Sequence, residues 1–148
     1  MKIVLQRVRS ASVEVSGKVV GKTGRGLCLL VGVEKRDSEN DAQYLARKVT
    51  ELRVFPDPEG KMNLSVLDIQ GEILAVSQFT LAASTRKGRR PGFDQAEEPK
   101  RAEELFTYFV GLVRERGIKV ETGVFQALMD VNLINEGPVT FILQSRES

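Results

Sequence analysis

The sequence contains no histidine. That absence removes every Ser-His-Asp and Cys-His mechanism, and with them the usual zinc ligand sets. Any hydrolysis carried out by this chain must use another base, or one that the substrate brings. Cysteine is nearly as scarce. Cys28, inside LCLLVGV, has no second thiol with which to form an internal disulfide. A reactive thiol needs an electropositive, partly exposed setting, so Cys28 is expected to be a small core residue. Long apolar runs are missing too, and none is long enough to span a bilayer. The N-terminal stretch MKIVLQRVRSASVEV alternates and carries charge. It lacks the apolar block and cleavage site of a signal peptide. It is therefore assigned to the fold, with a cytoplasmic location expected and no membrane partner. Charge of one sign is not in large excess: the formal net charge is +2. Binding of nucleic acid over the whole surface is not indicated, although a local basic patch is compatible with that balance.

What is present fits one globular domain covering residues 1–148. Hydrophobic residues make up 41% and charged residues 28%, the balance of a chain that folds rather than stays disordered. Residues 2–15 read as a strand, with Ile3 and Leu5, then Val13 and Val15, at alternating positions. Ser16-Gly17-Lys18 reads as a turn into a second strand near 19–23. GLCLLVGV at 26–33 suits a strand buried on both faces. Ser38, with Asp41 three residues on, forms a box-like helix start, and Ala42, Leu45, Val49 and Leu52 follow as one apolar stripe. PDPEG at 56–60 is a turn, followed by a short strand near 61–67. EILAVSQFTLAA predicts a strand over 72–83, and residues 84–98 read as a polar loop. Pro99 suits the first turn of a second helix that Gly117 stops. Two or three strands occupy 118–145. With roughly eight strands and two helices, the expected class is α+β: a curved, barrel-like sheet with two main flanking helices.

Three polar residues deep in the apolar run 72–83 stand out: Ser77, Gln78 and Thr80. In a regular strand, Gln78 and Thr80 share a face with Leu74 and Val76, while Ser77 and Phe79 point the other way. If buried, such groups need partners, and a strand end bonded to neighbouring backbone satisfies that requirement. The functional alternative is a polar platform that fixes a substrate carbonyl, with backbone N–H groups as an oxyanion site. Thr80 is a possible nucleophile without a histidine to activate it. Arg86, Lys87, Arg89 and Arg90 make a compact basic loop, either solvated charge or a phosphate contact that positions RNA without reading its sequence. Arg7 follows Gln6 in an otherwise alternating strand. It is either an edge arginine or a rigid donor fork for a carbonyl or carboxylate. The Gly137-Pro138 step opens a last apolar run and is, by itself, a turn signal.

SQFTL at 77–81 together with NEGPVT at 135–140 resembles the two signature motifs of the D-aminoacyl-tRNA deacylases, formerly D-tyrosyl-tRNA deacylases. The opening MKIVLQRVRSASVEV and VGV at 31–33 are similar to that family as well. A related branch carries a different residue set in place of SQFTL, so the match is to the main branch. The resemblance implies a homodimer that hydrolyses the ester between a D-amino acid and tRNA, and also releases glycine mischarged to tRNA. It implies a barrel-like α+β fold, no metal or other cofactor, aminoacyl-tRNA as partner, and active sites at the subunit interface. Ser77, Gln78, Phe79 and Thr80 become the catalytic set. Asn135, Gly137, Pro138, Val139 and Thr140 become substrate-binding residues. The Gly137–Pro138 bond is implied to be cis and to reach into the partner's pocket, where its carbonyls exclude an L side chain. Arg7 resembles the arginine that orients this motif. Phe79 and Met129 are candidate pocket walls, with apolar core as the plainer alternative. An activated ester needs no strong protein nucleophile, so hydrolysis assisted by the terminal ribose hydroxyl is the favoured mechanism, and covalent attack by Thr80 is the alternative. An inactive RNA-binding module and a generic esterase are the competing functions.

Overall fold

The computed structural model describes residues 1–146, so the last two residues of the expected domain, 147–148, lie outside the described residues. The alternating N-terminal stretch becomes one long strand, β1 (Lys2–Val15), on which the sheet is organised. Along one edge, Lys2–Val8 pair antiparallel with β3 (Gly26–Gly32), and Ala11–Val15 pair with β2 (Lys18–Thr23). Along the other edge β1 pairs antiparallel with β8 (Asp130–Gln144). Outward from β3, two parallel pairings add β6 (Glu72–Ser77) and β7 (Val120–Thr122). The sheet is strongly curved. At Gly21 in β2, an added Cβ would lie 2.7 Å from the Thr122 carbonyl of β7, so the two ends of the sheet come close and it is nearly closed. A small hairpin of β4 (Phe55–Pro56) and β5 (Met62–Leu64) stands apart. The α+β class and the barrel-like sheet are as expected.

Two helices cover one face. α1 (Glu39–Glu51) begins at Ser38, whose N–H donates to Asp41 Oδ2 at 2.8 Å, the capping box its spacing predicts. α2 (Pro99–Glu115) starts on Pro99 and stops at Gly117, whose φ of +90° a side chain rarely adopts. Neither is long and apolar enough to cross a membrane among the described residues.

Alternation sorts the strands into two cores. Ile3, Leu5, Leu27, Leu29, Val31, Ile73 and Ala75 face the helices and pack with Leu45, Val49, Leu105 and Phe109. Val8, Ala11, Val13, Cys28, Leu74 and Val76 face the inside of the curve, with Met129, Val131 and Leu133 against them. Cys28 is thus core, and burial pushes its thiol up to about 11.

The strand predicted over 72–83 is cut short. β6 ends at Ser77, and Phe79–Ala82 form a single turn of 3-10 helix. The cause is local. Gln78 N–H makes a last bond to the Val31 carbonyl at 2.7 Å, just before β3 itself ends at Gly32. With no ladder to continue, Leu81 N–H folds back onto the Gln78 carbonyl at 3.2 Å. Gly32 makes room for this turn, since a Cβ there would meet Leu81 Cβ at 2.8 Å. The strand alternation that placed Gln78 and Thr80 on the face of Leu74 and Val76 therefore does not hold: Val76 is buried and Thr80 exposed.

Close backbone approach also fixes the start of the parallel pairing. Gly26 lies against Glu72, so that any Cβ at position 26 would collide with the Glu72 carbonyl oxygen. Gly26→Ala is expected to lower the unfolding free energy by about 3 kcal/mol. Urea denaturation of the variant beside wild type measures this, and a loss below about 1 kcal/mol would contradict it.

Candidate active site

The termination of β6 leaves polar groups at the mouth of a cavity. Its volume is about 630 Å³, and Ser77, Gln78 and Phe79 line one side. Val131 from the start of β8, with Phe125 and Met129 from the loop before it, line it as well. Phe93, Glu97 and Pro99 close the side next to α2. Of the residues singled out in the sequence, Ser77, Gln78, Phe79 and Met129 thus meet in one space. Phe79 is 56% exposed, a large apolar side chain left in water.

The turn after β6 supplies donors as well as walls. A helical turn leaves its first N–H groups without an intrahelical acceptor. Here the Phe79 and Thr80 amides precede the first bonded one, that of Leu81. Gln78 Nε2 donates to Thr80 Oγ1 at 2.6 Å. The Thr80 hydroxyl is exposed, and among the described residues its side-chain partner is a donor, Gln78, with no base side chain bonded to it. Such a geometry suits orientation of Gln78 better than generation of an alkoxide.

The second group of predicted residues lies elsewhere on the chain. Between the Val8–Asn135 and Gln6–Thr140 pairs, β1 has one residue, Arg7, and β8 has four, Glu136 to Val139. The surplus bulges outward, which accommodates a proline that has no N–H to give the ladder. Gly137 and Pro138 are exposed at the crest, and the bond between them is cis. Val139 is buried in the helix-side core, and Thr140 Oγ1 accepts from Gln6 Nε2 at 3.1 Å.

Side chains hold the base of this bulge from several directions. Arg7 Nε donates to the Glu136 carbonyl at 2.9 Å and lies 3.1 Å from the Glu136 carboxylate. An Arg7 terminal nitrogen donates to the Val54 carbonyl at 2.7 Å, which ties the bulge to the segment after α1. The Arg7 side chain is only 11% exposed, so these bonds are shielded from water. Asn135 Nδ2 donates to the carbonyls of Arg7, at 3.0 Å, and Val139, at 3.1 Å. A Cβ on Gly137 would collide with Asn135 Oδ1. Arg9 and Arg25 also approach the Glu136 carboxylate, at 3.9 and 3.8 Å. Gly137 and Pro138 take no part in lining the cavity of their own chain.

The basic loop forms a tight reversal. Ser84 and Gly92 exchange backbone bonds at 2.8 Å, and Arg86, Lys87, Arg89 and Arg90 are exposed on the tip between them. Phe93, directly after this closure, contacts Phe79 with ring centroids 5.2 Å apart. Sequence reasoning passed over Phe93 and Phe125. Their one signal was an aromatic residue within polar loop sequence, which no periodicity supports.

The family model for D-Tyr-tRNA(Tyr) deacylase matches residues 4–144. A D-aminoacyl-tRNA deacylase of Geotalea uraniireducens (strain Rf4) is 58% identical, over 98% of this chain and 94% of its own. One from Aquifex aeolicus (strain VF5) is 56% identical, over 99% of each chain. A solved structure described as c-Myc DNA Unwinding Element Binding Protein superposes with a TM-score of 0.93 at 40% identity, covering 99% of this chain and 100% of that one. A probable eukaryotic D-amino acid tRNA deacylase shares the fold, with a TM-score of 0.82 at 21% identity over 96% of this chain and 97% of that one. Matched along nearly its whole length by both the family model and these relatives, the chain belongs to the D-Tyr-tRNA(Tyr) deacylase family, a family of hydrolases.

Proposed function

We propose that this chain hydrolyses the ester that joins a D-amino acid, or mischarged glycine, to the terminal ribose of tRNA, and that it rejects L-amino acids by steric exclusion. The observation that carries this reading is the convergence of Ser77, Gln78 and Phe79 on one cavity in a protein without histidine. The amides of Phe79 and Thr80 serve as donors to the developing oxyanion, and Ser77 and Gln78 position the ester. The ester is already activated, and the neighbouring ribose hydroxyl orients or polarises the attacking water, so no protein nucleophile is needed. The cationic tip at Arg86, Lys87, Arg89 and Arg90 meets the RNA backbone. The reaction calls for no metal and no cofactor, and the setting is the cytoplasm.

The active unit in this proposal is a homodimer. Gly137 and Pro138 lie outside their own cavity, and β8 has no strand on its outer edge among the described residues. That edge carries Ile134 and Ile142, both more than half exposed. Long apolar edges of this kind are ordinarily covered. A second copy that covers β8 would bring Gly137 and Pro138 towards its partner's cavity. Carbonyls placed beside the substrate α-carbon there leave space for a D side chain or for glycine, and none for an L side chain.

Three substrates separate this function from its competitors. D-tyrosyl-tRNA, L-tyrosyl-tRNA and a small tyrosyl ester are each incubated with the protein, and release of the amino acid is followed. Release from the D-form alone is expected. Binding of RNA without release would make the chain a binding module, and cleavage of the small ester would make it a general esterase.

The mechanism has its own test. Thr80→Ala is expected to retain measurable deacylation, whereas a substrate whose terminal ribose lacks the 2′-hydroxyl should react at least tenfold more slowly. Total loss in the variant, with an acyl-enzyme trapped in wild type, would assign a covalent route to Thr80.

The filter depends on Arg7. Arg7→Ala frees the Glu136 and Val54 carbonyls, each lost bond being worth about 1–3 kcal/mol. The ratio of D to L deacylation is expected to fall by about tenfold in a variant that remains folded. An unchanged ratio would place discrimination somewhere other than this bulge.

A further inference from the structure

A second, smaller space of about 220 Å³ shares a wall with the cavity. The wall is the pairing of residues 33–35 with residues 95–97. Lys35 N–H donates to the Gln95 carbonyl at 2.9 Å, Glu97 N–H donates to the Val33 carbonyl at 3.1 Å, and Glu34 bridges to Ala96 between them. Val33, Ala96 and Glu97 line the cavity, whereas Glu34, Lys35 and Gln95 line the smaller cleft. Both spaces lie where strands run out. Lys2 opposite Gly32 is the end pair of β1 and β3, and Val31 opposite Ser77 is the end pair of β3 and β6.

Charge tells what kind of ligand fits the cleft. Lys2, Lys35, Arg36 and Arg146 line it against one carboxylate, that of Glu34. Glu34 is already engaged, 3.6 Å from Lys2 Nζ and 3.5 Å from the Met1 ammonium. Arg146 is held in place. One terminal nitrogen donates to the Lys35 carbonyl at 3.0 Å and to Asp37 Oδ1 at 2.7 Å, and its Nε lies 3.6 Å from the Asp41 carboxylate. The Asp37 side chain is fully buried, so it fixes Arg146 without presenting its own charge to solvent. A guanidinium carries five N–H donors, and one anchored along one edge keeps others for a ligand. Lys35 and Arg36 are exposed and form no ion pair among the described residues. An anchored guanidinium, two uncommitted cations and the side-chain amide of Gln95 around a concave space match an anion with several oxygens, as a phosphate has.

We propose that this cleft binds a backbone phosphate of the substrate RNA, upstream of the terminal nucleotide whose ester occupies the cavity. This deepens the proposed function and rests on it for the identity of the substrate. An RNA strand carries one charge per nucleotide, so a cationic cleft next to the cavity meets a phosphate whatever the bases are. The contact therefore sets the register of the strand and reads no sequence, which suits an enzyme that acts on many tRNAs. Lys35 and Arg36 are binding residues here, with no part in bond breaking.

The test compares two D-tyrosyl esters, one on tRNA and one on adenosine, which carries no phosphate. The full chain is assayed as wild type, as the double variant Lys35→Gln with Arg36→Gln, and as the charge-keeping double variant Lys35→Arg with Arg36→Lys. On D-tyrosyl-tRNA the glutamine variant should raise KM by about tenfold while kcat stays within about twofold. The slope of log KM against log salt should fall by about two, roughly one for each cation removed. The charge-keeping variant should match wild type within about threefold. On D-tyrosyl-adenosine the three proteins should share one kcat/KM. An unchanged KM for the tRNA ester, or an equal loss on both esters, would overturn the cleft as an RNA site. If the glutamine variant loses affinity for inorganic phosphate in calorimetry while KM for the tRNA ester holds, the cleft takes a free anion and the RNA assignment falls. A wild type that releases no amino acid from either ester, yet binds uncharged tRNA about tenfold more tightly than the glutamine variant does, would leave the cleft standing and overturn the deacylase reading instead.

Discussion

The hydrogen bonds of Arg7 tie the bulge of β8 to β1 and to the segment after α1. One guanidinium binds the carbonyl of Glu136 in the β8 bulge and the carbonyl of Val54 after α1, and it pairs with the Glu136 carboxylate. Both carbonyls belong to backbone that has left its regular ladder, so without Arg7 they would have to find water in a largely buried position. A planar fork with fixed donor directions constrains the angle of the bulge as well as its distance from β1, which a lysine would not do. The steric exclusion proposed for the exposed Gly137-Pro138 crest requires a crest that does not yield, and Arg7 fixes its base. A side chain one methyl group out of place is rejected only if the excluding atoms cannot yield.

The division of labour on the chain follows from this. The cavity is built where β3 and β6 both end, at Gly32 and Ser77, since strand ends free backbone amides and expose side chains that a continuous sheet would bury. The bulge is built in the middle of the longest pairing, where ladder bonds on both sides stabilise an irregular segment. Under the proposed function, chemistry thus sits where strands end and selectivity on the seam between β1 and β8. Under the proposed dimer, the two features act on one substrate although they lie apart on one chain.

Absence of histidine shapes the chemistry that remains. Gln78 donates to the Thr80 hydroxyl, and among the described residues no side-chain base is bonded to it. What the site offers is directional donors and a shaped space. In the proposed function those stabilise the transition state of an ester that is already reactive, and they work without a titrating group.

Much of this was legible in the chain itself. Period-two alternation located β1, because side chains on a pleated strand have only two directions to take, and the apolar run at 26–33 marked a strand buried on both faces. Ser38 with Asp41, Pro99 and Gly117 marked helix ends through groups that satisfy or forgo backbone bonds locally. The motifs at 77–81 and 135–140 pointed to the family. Tertiary structure decided the rest. The end of β6 at Ser77 depended on where β3 stops and on the space beside Gly32, neither of which is local to SQFTL. The bulge depended on a count of residues between two pairings made across the whole length of the chain. Phe93 joined the cavity lining only when a loop without periodicity was pinned beside Phe79. Local bonding and alternation are written in neighbouring residues; contacts between distant backbone segments are not, and those contacts placed the cavity and the crest.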